Sequence, residues 1–396
     1  MSVGAPVEAA ARRATLRDAQ RIVVKLGSAA LCEAQGGVDL SAFARVAAAI
    51  AEQRRSGRQV VVVSSGAVAL GRAETGQVPG DPNPRFGRQA LAAIGQPLLM
   101  AQWRSAFAAQ GLGVAQLLLT HADLGARPRF LHARRVAAEL LEHGVVPIVN
   151  ENDTVAIEEL GFGDNDALAA QVAVAVGAEL LVLLTEVDGL MTADPRLDPS
   201  ATRVAHLDAF DPRATAFTEA GSRSTLGTGG MRSKMQAAAI AAHAGIATLV
   251  ADARRGDVLA ALISGADIGT LLWPGPSRLS ARRKWLATTV RPRGSIGVDA
   301  GAARALVEGG RSLLPVGVRT VEGRFEVGDP VRVLAPDGSA LGRGLSRYAS
   351  EDARAIAGLR SDAITQKLGW LPAAELIHRD DFWPEPGAAR RLWGDP

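Results

Sequence analysis

The feature that most restricts the fold is a series of short aliphatic runs, each closed by glycine or a small polar residue. The run at 21–26 ends at Gly27, and the run at 59–64 (QVVVVS) leads into Gly66. Further runs lie at 114–119, 145–149, 180–184 and 246–250. They are apolar on both faces, as parallel strands covered on both sides must be. Between them stand segments with helical patterning, at 40–55, 88–109, 128–143, 165–176 and 231–244. Strand, glycine turn and helix in repetition predict an α/β fold: a mostly parallel open sheet with helices on both faces. Ligands of such a sheet bind at the carboxyl ends of its strands. Aromatic residues make up only 4% of the chain, so aliphatic side chains must fill the core.

A chain of 396 residues exceeds one ordinary core. The α/β pattern occupies 21–271. Residues 272–291, which include LWPGPSRLSARR, hold prolines, glycine and charges and read as a linker. From 292 to 375 the texture becomes a small, mainly β domain: strands at 295–299, 316–321, 325–327, 331–334 and 341–346, and a helix at 300–308. A tail follows at 376–396. Residues 1–20 carry Arg12, Arg13 and Arg17 without an apolar core, so they read as a disordered extension rather than a secretory signal. No apolar stretch is long enough to predict a membrane span. The single cysteine, Cys32, allows no intrachain disulfide and reads as a small buried residue, consistent with a reducing, cytoplasmic location.

The net charge of +3 does not argue for a nucleic-acid partner. The make-up of that charge says more. Of 44 basic residues only Lys25, Lys234, Lys284 and Lys367 are lysine. A lysine kept in an arginine-using chain marks a place where a compact ammonium serves better than a planar guanidinium, or is a surface remnant. Lys284 and Lys367 read as remnants, whereas Lys25 and Lys234 sit in glycine-containing segments. VVKLGS at 23–28 runs a strand into Gly27 and Ser28, where backbone N–H groups can approach a phosphate. Ser64, Ser65 and Gly66 offer hydroxyls and amides, either to an anion or as a plain helix cap. GFGDND at 161–166 places two carboxylates around an amide before an apolar helix, more than one cap needs. With NEND at 150–153, directly after a buried strand, it suggests a polar pocket for a small zwitterion. GTGGMRSK at 227–234 opens a helix with glycines and sets Lys234 one turn inside, a geometry suited to a polyphosphate. It is not the usual P-loop, because the lysine does not follow a glycine, and no D-F-G element suggests a protein kinase.

Taken together, VVKLGS (23–28), SSGAVALGR (64–72), LAAIGQ (91–96), QLLLTHAD (116–123), VVPIVNENDTVA (145–156), GDNDALAA (163–170), LLTEVDGLMTADPR (183–196), LGTGGMRSK (226–234) and SLLPVGV (312–318) resemble the glutamate 5-kinases of the amino-acid kinase family. The later region resembles the PUA domain that many bacterial members carry. The chain departs from the usual pattern at Glu186 (commonly Asp), Met191 (commonly Tyr) and Ser28-Ala29 (frequently Thr-Ser), all on the nucleotide side.

The resemblance implies transfer of the γ-phosphoryl of ATP, accompanied by Mg2+, to the side-chain carboxylate of L-glutamate. That carboxylate is ionised at neutral pH and needs no general base. Phosphoryl transfer then rests on alignment and charge neutralisation. Lys25 and Lys234 are the candidate catalytic cations, with Asp164 to orient them. Ser65, Asp153 and Asn165 are carried over as glutamate contacts, with Asp166 assisting through the substrate ammonium. Gly27, Thr185, Glu186, Thr228, Gly229, Gly230, Met231, Arg232 and Ser233, with both lysines, are the expected ATP contacts. No protein metal ligands are expected. The family also implies proline as an inhibitor and a homo-oligomeric assembly. Rival readings are a kinase of the same fold acting on acetylglutamate or isopentenyl phosphate, and an RNA-binding protein built on the PUA-like domain. The paired NENDTVA and GDND segments argue against the first; weak net charge and few aromatic candidates argue against the second.

Overall fold

The computed structural model of the chain describes residues 6–32, 38–81, 84–156, 165–193, 198–209, 211, 230–274, 292–360, 363, 364, 367, 374–385 and 388. The chain forms two compact units, Met1–Arg278 and Leu279–Pro396.

The first unit is built on an eight-stranded sheet: β1 (Arg21–Leu26), β2 (Gln59–Ser64), β3 (Val114–Leu119), β4 (Val146–Glu151), β5 (Leu180–Thr185), β6 (His206–Asp208), β7 (Ala247–Asp252) and β8 (Thr270–Trp273). Their order is β3-β4-β2-β1-β5-β7-β8-β6, and only the β7/β8 pair is antiparallel. The central strands are buried on both faces, with Val23, Val61 and Val182 all inaccessible. The chain leaves β1 toward β2 on one side and returns to β5 on the other. The crevice at the carboxyl end of β1 is therefore a topological switch point, where an open α/β sheet receives its ligand.

The helices follow from local sequence. In α2 (Leu40–Arg55) the Asp39 carboxylate caps the first turn by accepting from the Ala42 N–H. α3 (Ala67–Thr75) starts from Gly66, whose φ of 118° suits glycine. α4 (Arg88–Ala108) lies against α3 with almost no space between backbones. A Cβ on Gly95 would stand 1.8 Å from the Ala67 carbonyl, and one on Gly71 1.9 Å from that of Leu91. α5 (His121–Gly125) carries a capping box of Thr120 and Asp123. α6 (Arg127–Glu142), α7 (Asn165–Val176), α8 (Met231–His243) and α9 (Val258–Ile263) complete the unit. In α7 the side chains from Leu168 to Val172 are all buried, as expected of a helix enclosed on every side. Cys32 is half-buried, and burial, with Asp39 nearby, pushes its thiol up to about 11. It is no nucleophile at neutral pH.

In several places the structure departs from the sequence reading. The first twenty residues are not a disordered extension throughout, for α1 (Pro6–Thr15) forms there. Its Arg13 is only 3% exposed and donates to the carbonyls of Ala205, Ala266, Ile268 and Gly269 at 2.7–3.2 Å. Arg12 donates to Asp208 at 2.7 Å and stacks over Trp273. Charges that look solvated in the sequence thus tie α1 to the β6/β8 edge. Leu272 and Trp273 belong to β8, with Leu272 buried, so the linker does not begin at 272. Residues 275–291 lie outside the described residues.

The second unit has a five-stranded sheet of order β10-β9-β11-β12-β13. Its strands are β9 (Gly294–Val298), β10 (Val318–Gly323), β11 (Pro330–Leu334), β12 (Ala340–Leu345) and β13 (Phe382–Pro384), with α10 (Ala300–Val307) and α11 (Ser350–Ile356). Residues 325–327 form no strand: Phe325 is buried in the core and Glu326–Asp329 closes a turn. The tail from 376 is part of this core as well. Leu376 and Ile377 are inaccessible, and β13 adds the last strand to the sheet.

Candidate active site

Two side-chain clusters meet at the head of α7. In the first, the Asp166 carboxylate receives the Lys25 ammonium on Oδ1 at 2.6 Å and the Lys234 ammonium on Oδ2 at 3.1 Å. The Ser233 hydroxyl donates to the same Oδ2 at 2.8 Å. Asp166 is wholly inaccessible, and both lysines and Ser233 are buried. Burial alone would raise the Asp166 pKa. Attraction to Lys25 and Lys234, with hydrogen bonds from Lys25 and Ser233, wins and holds it at about 2. The carboxylate is thus an anion clamped between two cations, a net positive charge with little water around it.

The sheet register explains why these groups meet. Lys25 is the penultimate residue of β1, flanked in register by Val63 of β2 and Leu183 of β5. Both flanks being aliphatic, the stem of Lys25 is enclosed and its ammonium emerges only at the strand end. Gly27 follows beside the ammonium: a Cβ there would be in ordinary van der Waals contact with Lys25 Nζ, at 3.8 Å. Gly230 caps α8, so Ser233 and Lys234 stand in its first turn beside α7.

The second cluster is made of amides. Asn165 Nδ2 donates to Ser65 Oγ at 2.8 Å and to Asn150 Oδ1 at 3.0 Å. Asn150 Nδ2 donates to Gln96 Oε1 at 2.8 Å, and the Glu151 backbone N–H donates to Asn150 Oδ1 at 2.9 Å. The Ser65 N–H in turn donates to the Leu26 carbonyl at 3.0 Å. Because Asn165 and Asp166 are consecutive, the amide cluster and the charged cluster lie side by side.

Of the expected residues, Lys25, Ser65, Asn165, Asp166, Ser233 and Lys234 come together here. The residue found between the two lysines is Asp166, which was expected to assist through the substrate ammonium. A wholly enclosed carboxylate already paired with two cations has no open face for that task. Asp164, Thr228 and Gly229 lie outside the described residues. Asp153 is on the turn after β4, half-buried; burial raises its pKa, opposed by Arg88. Thr185 ends β5, and its carbonyl accepts from the Ala253 N–H. The Glu186 carbonyl accepts from Arg254 at 2.7 Å. Met231 is half-buried and Arg232 exposed on α8. Asn150 opens the NEND segment read as pocket-forming and Gln96 closes LAAIGQ, but the sequence assigns neither an individual contact. The signal for Gln96 was present: it is the polar member of the buried α4 stripe containing Ala92, Leu99 and Trp103. Among the described residues no group of three or more His, Cys, Asp or Glu could hold a metal ion, and no helix is long and apolar enough to cross a membrane.

An open α/β sheet with paired ammonium groups at its switch point, beside a neutral polar pocket, defines a phosphotransferase of the small-molecule type. Residues 20–252 match the amino acid kinase family and residues 294–368 the PUA domain. A glutamate 5-kinase of Thermus thermophilus is 46% identical over 91% of this chain and 96% of its own length. One from Caulobacter vibrioides is 49% identical over 92% of this chain and 96% of its own. One from Pelobacter propionicus is 45% identical over 94% and 99%. The chain belongs to the amino acid kinase family, and within it to the glutamate 5-kinases, and it also carries a PUA domain.

Proposed function

We propose that the protein transfers the γ-phosphoryl of ATP to the side-chain carboxylate of L-glutamate, giving L-glutamyl 5-phosphate and ADP, the first step of proline synthesis. The observation that carries this reading is the pair of buried ammonium groups fixed on Asp166, next to an uncharged pocket of amides and a hydroxyl. The attacking oxygen arrives already ionised, so the chain has to align reactants and neutralise charge rather than move a proton. Lys25 and Lys234 supply the charge, and Asp166 holds them together and aimed. Asp164 is assigned to the same group as a second carboxylate near the reacting centre. Ser65, Asn165 and Asp153 hold glutamate, with Asp153 facing its ammonium. Gly27, Thr185, Glu186 and the segment from Thr228 to Lys234 hold the nucleotide. Mg2+ would come with ATP and would offset the charge of its phosphates, with few dedicated protein ligands.

We further propose that proline inhibits the enzyme, that the active form is a homo-oligomer, and that it works in the cytoplasm. The test is ADP release with glutamate, aspartate, acetylglutamate or no acceptor. Release that depends on glutamate and on none of the others is expected. Equal release with acetylglutamate would assign the chain to another reaction of the same fold.

A further inference from the structure

We propose that Gln96 is a positioning residue for the amino-acid pocket: it accepts from the Asn150 amide that the Glu151 backbone orients, and so anchors Asn150 where it makes Asn165 present an acceptor to the substrate ammonium. The inference rests on the glutamate-binding reading given above and extends it to a residue on α4 that closes the LAAIGQ segment and to which that reading gives no role.

The argument starts from a group that cannot turn. An asparagine side chain can exchange its oxygen and nitrogen by rotating half a turn, so its orientation is decided by its partners. The backbone N–H of Glu151 is fixed by β4 and can only donate, and it lies 2.9 Å from Asn150 Oδ1. Asn150 must therefore keep its oxygen toward Glu151, which points its Nδ2 at Gln96 Oε1, 2.8 Å away. The same oxygen accepts from Asn165 Nδ2 at 3.0 Å. That nitrogen also serves Ser65, so the Asn165 amide is held with its oxygen turned away from both.

The result is a directed chain, from Ser65 through Asn165 and Asn150 to Gln96, with polarity set by one backbone amide. Asn165 Oδ1 is buried and has no hydrogen-bond partner among the described residues. An enclosed acceptor without a donor is unusual in a finished structure and points to a ligand that brings the donor. An α-ammonium group is such a donor. Gln96 Nε2, at the other end, is also buried without a partner among the described residues. Nothing there competes with Asn150 for the way Gln96 is turned. Gln96 is 9% exposed, and Gly95 beside it lets α4 close against α3, which brings the glutamine to β4. Without the Gln96 acceptor, the buried Asn150 Nδ2 keeps its orientation but has no partner, and Asn150 must shift to satisfy it, moving the acceptor that holds Asn165.

The test compares Gln96→Met, of similar length without polar atoms, with Gln96→Glu, which keeps an acceptor for Asn150. Both are read by the KM for glutamate, the KM for ATP, kcat and the melting temperature of the full chain. Gln96→Met should raise the KM for glutamate about tenfold or more, with kcat and the KM for ATP within about threefold of wild type. Gln96→Glu should recover most of that loss. An unchanged KM for glutamate in Gln96→Met overturns the proposal. So does a rise in both KM values together with a fall in kcat and melting temperature, which is the signature of a general structural defect. Gln96→Glu performing no better than Gln96→Met also overturns it, because the acceptor would then not be what matters. Wild-type protein releasing no ADP with glutamate would instead overturn the functional reading on which the proposal stands.

Discussion

Lys25 and Lys234 share one carboxylate, each ammonium taking a different oxygen of Asp166 at 2.6 and 3.1 Å. Two like charges are thus held close by a single buried anion. Asp166→Asn removes that anion and leaves both cations enclosed. Breaking a buried pair in this way costs about 3–5 kcal/mol. The loss should depend on pH. The folded-state pKa of Asp166 lies below its unfolded value, so its stabilising effect is complete above about pH 4 and fades as pH falls toward 2. Urea unfolding from pH 6 down to 2.5 should show wild type and Asp166→Asn converging in acid. A gap that stays constant would mean that Asp166 carries no charge in the fold.

Lys→Arg is the sharpest test of the cations, because the chain otherwise uses arginine for 40 of its 44 basic residues. Arginine keeps the charge but is longer and planar. The stem of Lys25 is enclosed between Val63 and Leu183, so a longer side chain overshoots Asp166. A lost transition-state contact of about 3–4 kcal/mol is about a hundred- to a thousand-fold in rate. Lys25→Arg and Lys234→Arg should each lower kcat by about two orders of magnitude or more. Lys367, which is exposed, provides a silent control. Near-normal kcat in both variants at saturating substrates would remove these lysines from the mechanism.

Arg13 should behave as a core residue. Its guanidinium serves four carbonyls, and Arg13→Ala would strand them beneath α1. A loss of about 2–3 kcal/mol is expected, or about 5–10 °C in Tm. Arg17→Ala, on the exposed side with one hydrogen bond to the Ser264 carbonyl, should change Tm little. Equal, small effects of both would make α1 an ornament on the unit.

The same contrast shows what the sequence can and cannot reveal. β1 and β2 begin and end where their runs do, because strands buried on both faces leave a largely apolar record, and β3, a half-buried edge strand, is marked by its aliphatic residues alone. β6 (HLD) and β8 (TLLW) are too short to leave one, and α1 hides behind arginines whose burial depends on distant carbonyls. At the site, GDND marked the polar head of α7, but spacing does not say which of its carboxylates turns inward. Only the packing of α7 against β1 and α8 brings Asp166 to the lysines. Gln96 shows in the sequence as a polar residue in the apolar α4 stripe, but its role does not, because its partner Asn150 lies on another element.

Proline offers the ammonium and α-carboxylate of an amino acid but no side-chain carboxylate, so it can occupy a zwitterion pocket without accepting a phosphoryl group. If that pocket is the one beside Asn165 and Asp153, proline should raise the apparent KM for glutamate and leave kcat unchanged. Asn165→Ala should then weaken both ligands together, by about tenfold or more, since each loses the same partner for its ammonium. Asp153 adds a pH signature. Its pKa is raised by burial, so its carboxylate gains a proton earlier than usual as pH falls. Loss of that charge should weaken glutamate and proline in parallel in mild acid, and Asp153→Asn should flatten the dependence. Inhibition that lowers activity equally at every glutamate concentration would place proline in a separate pocket.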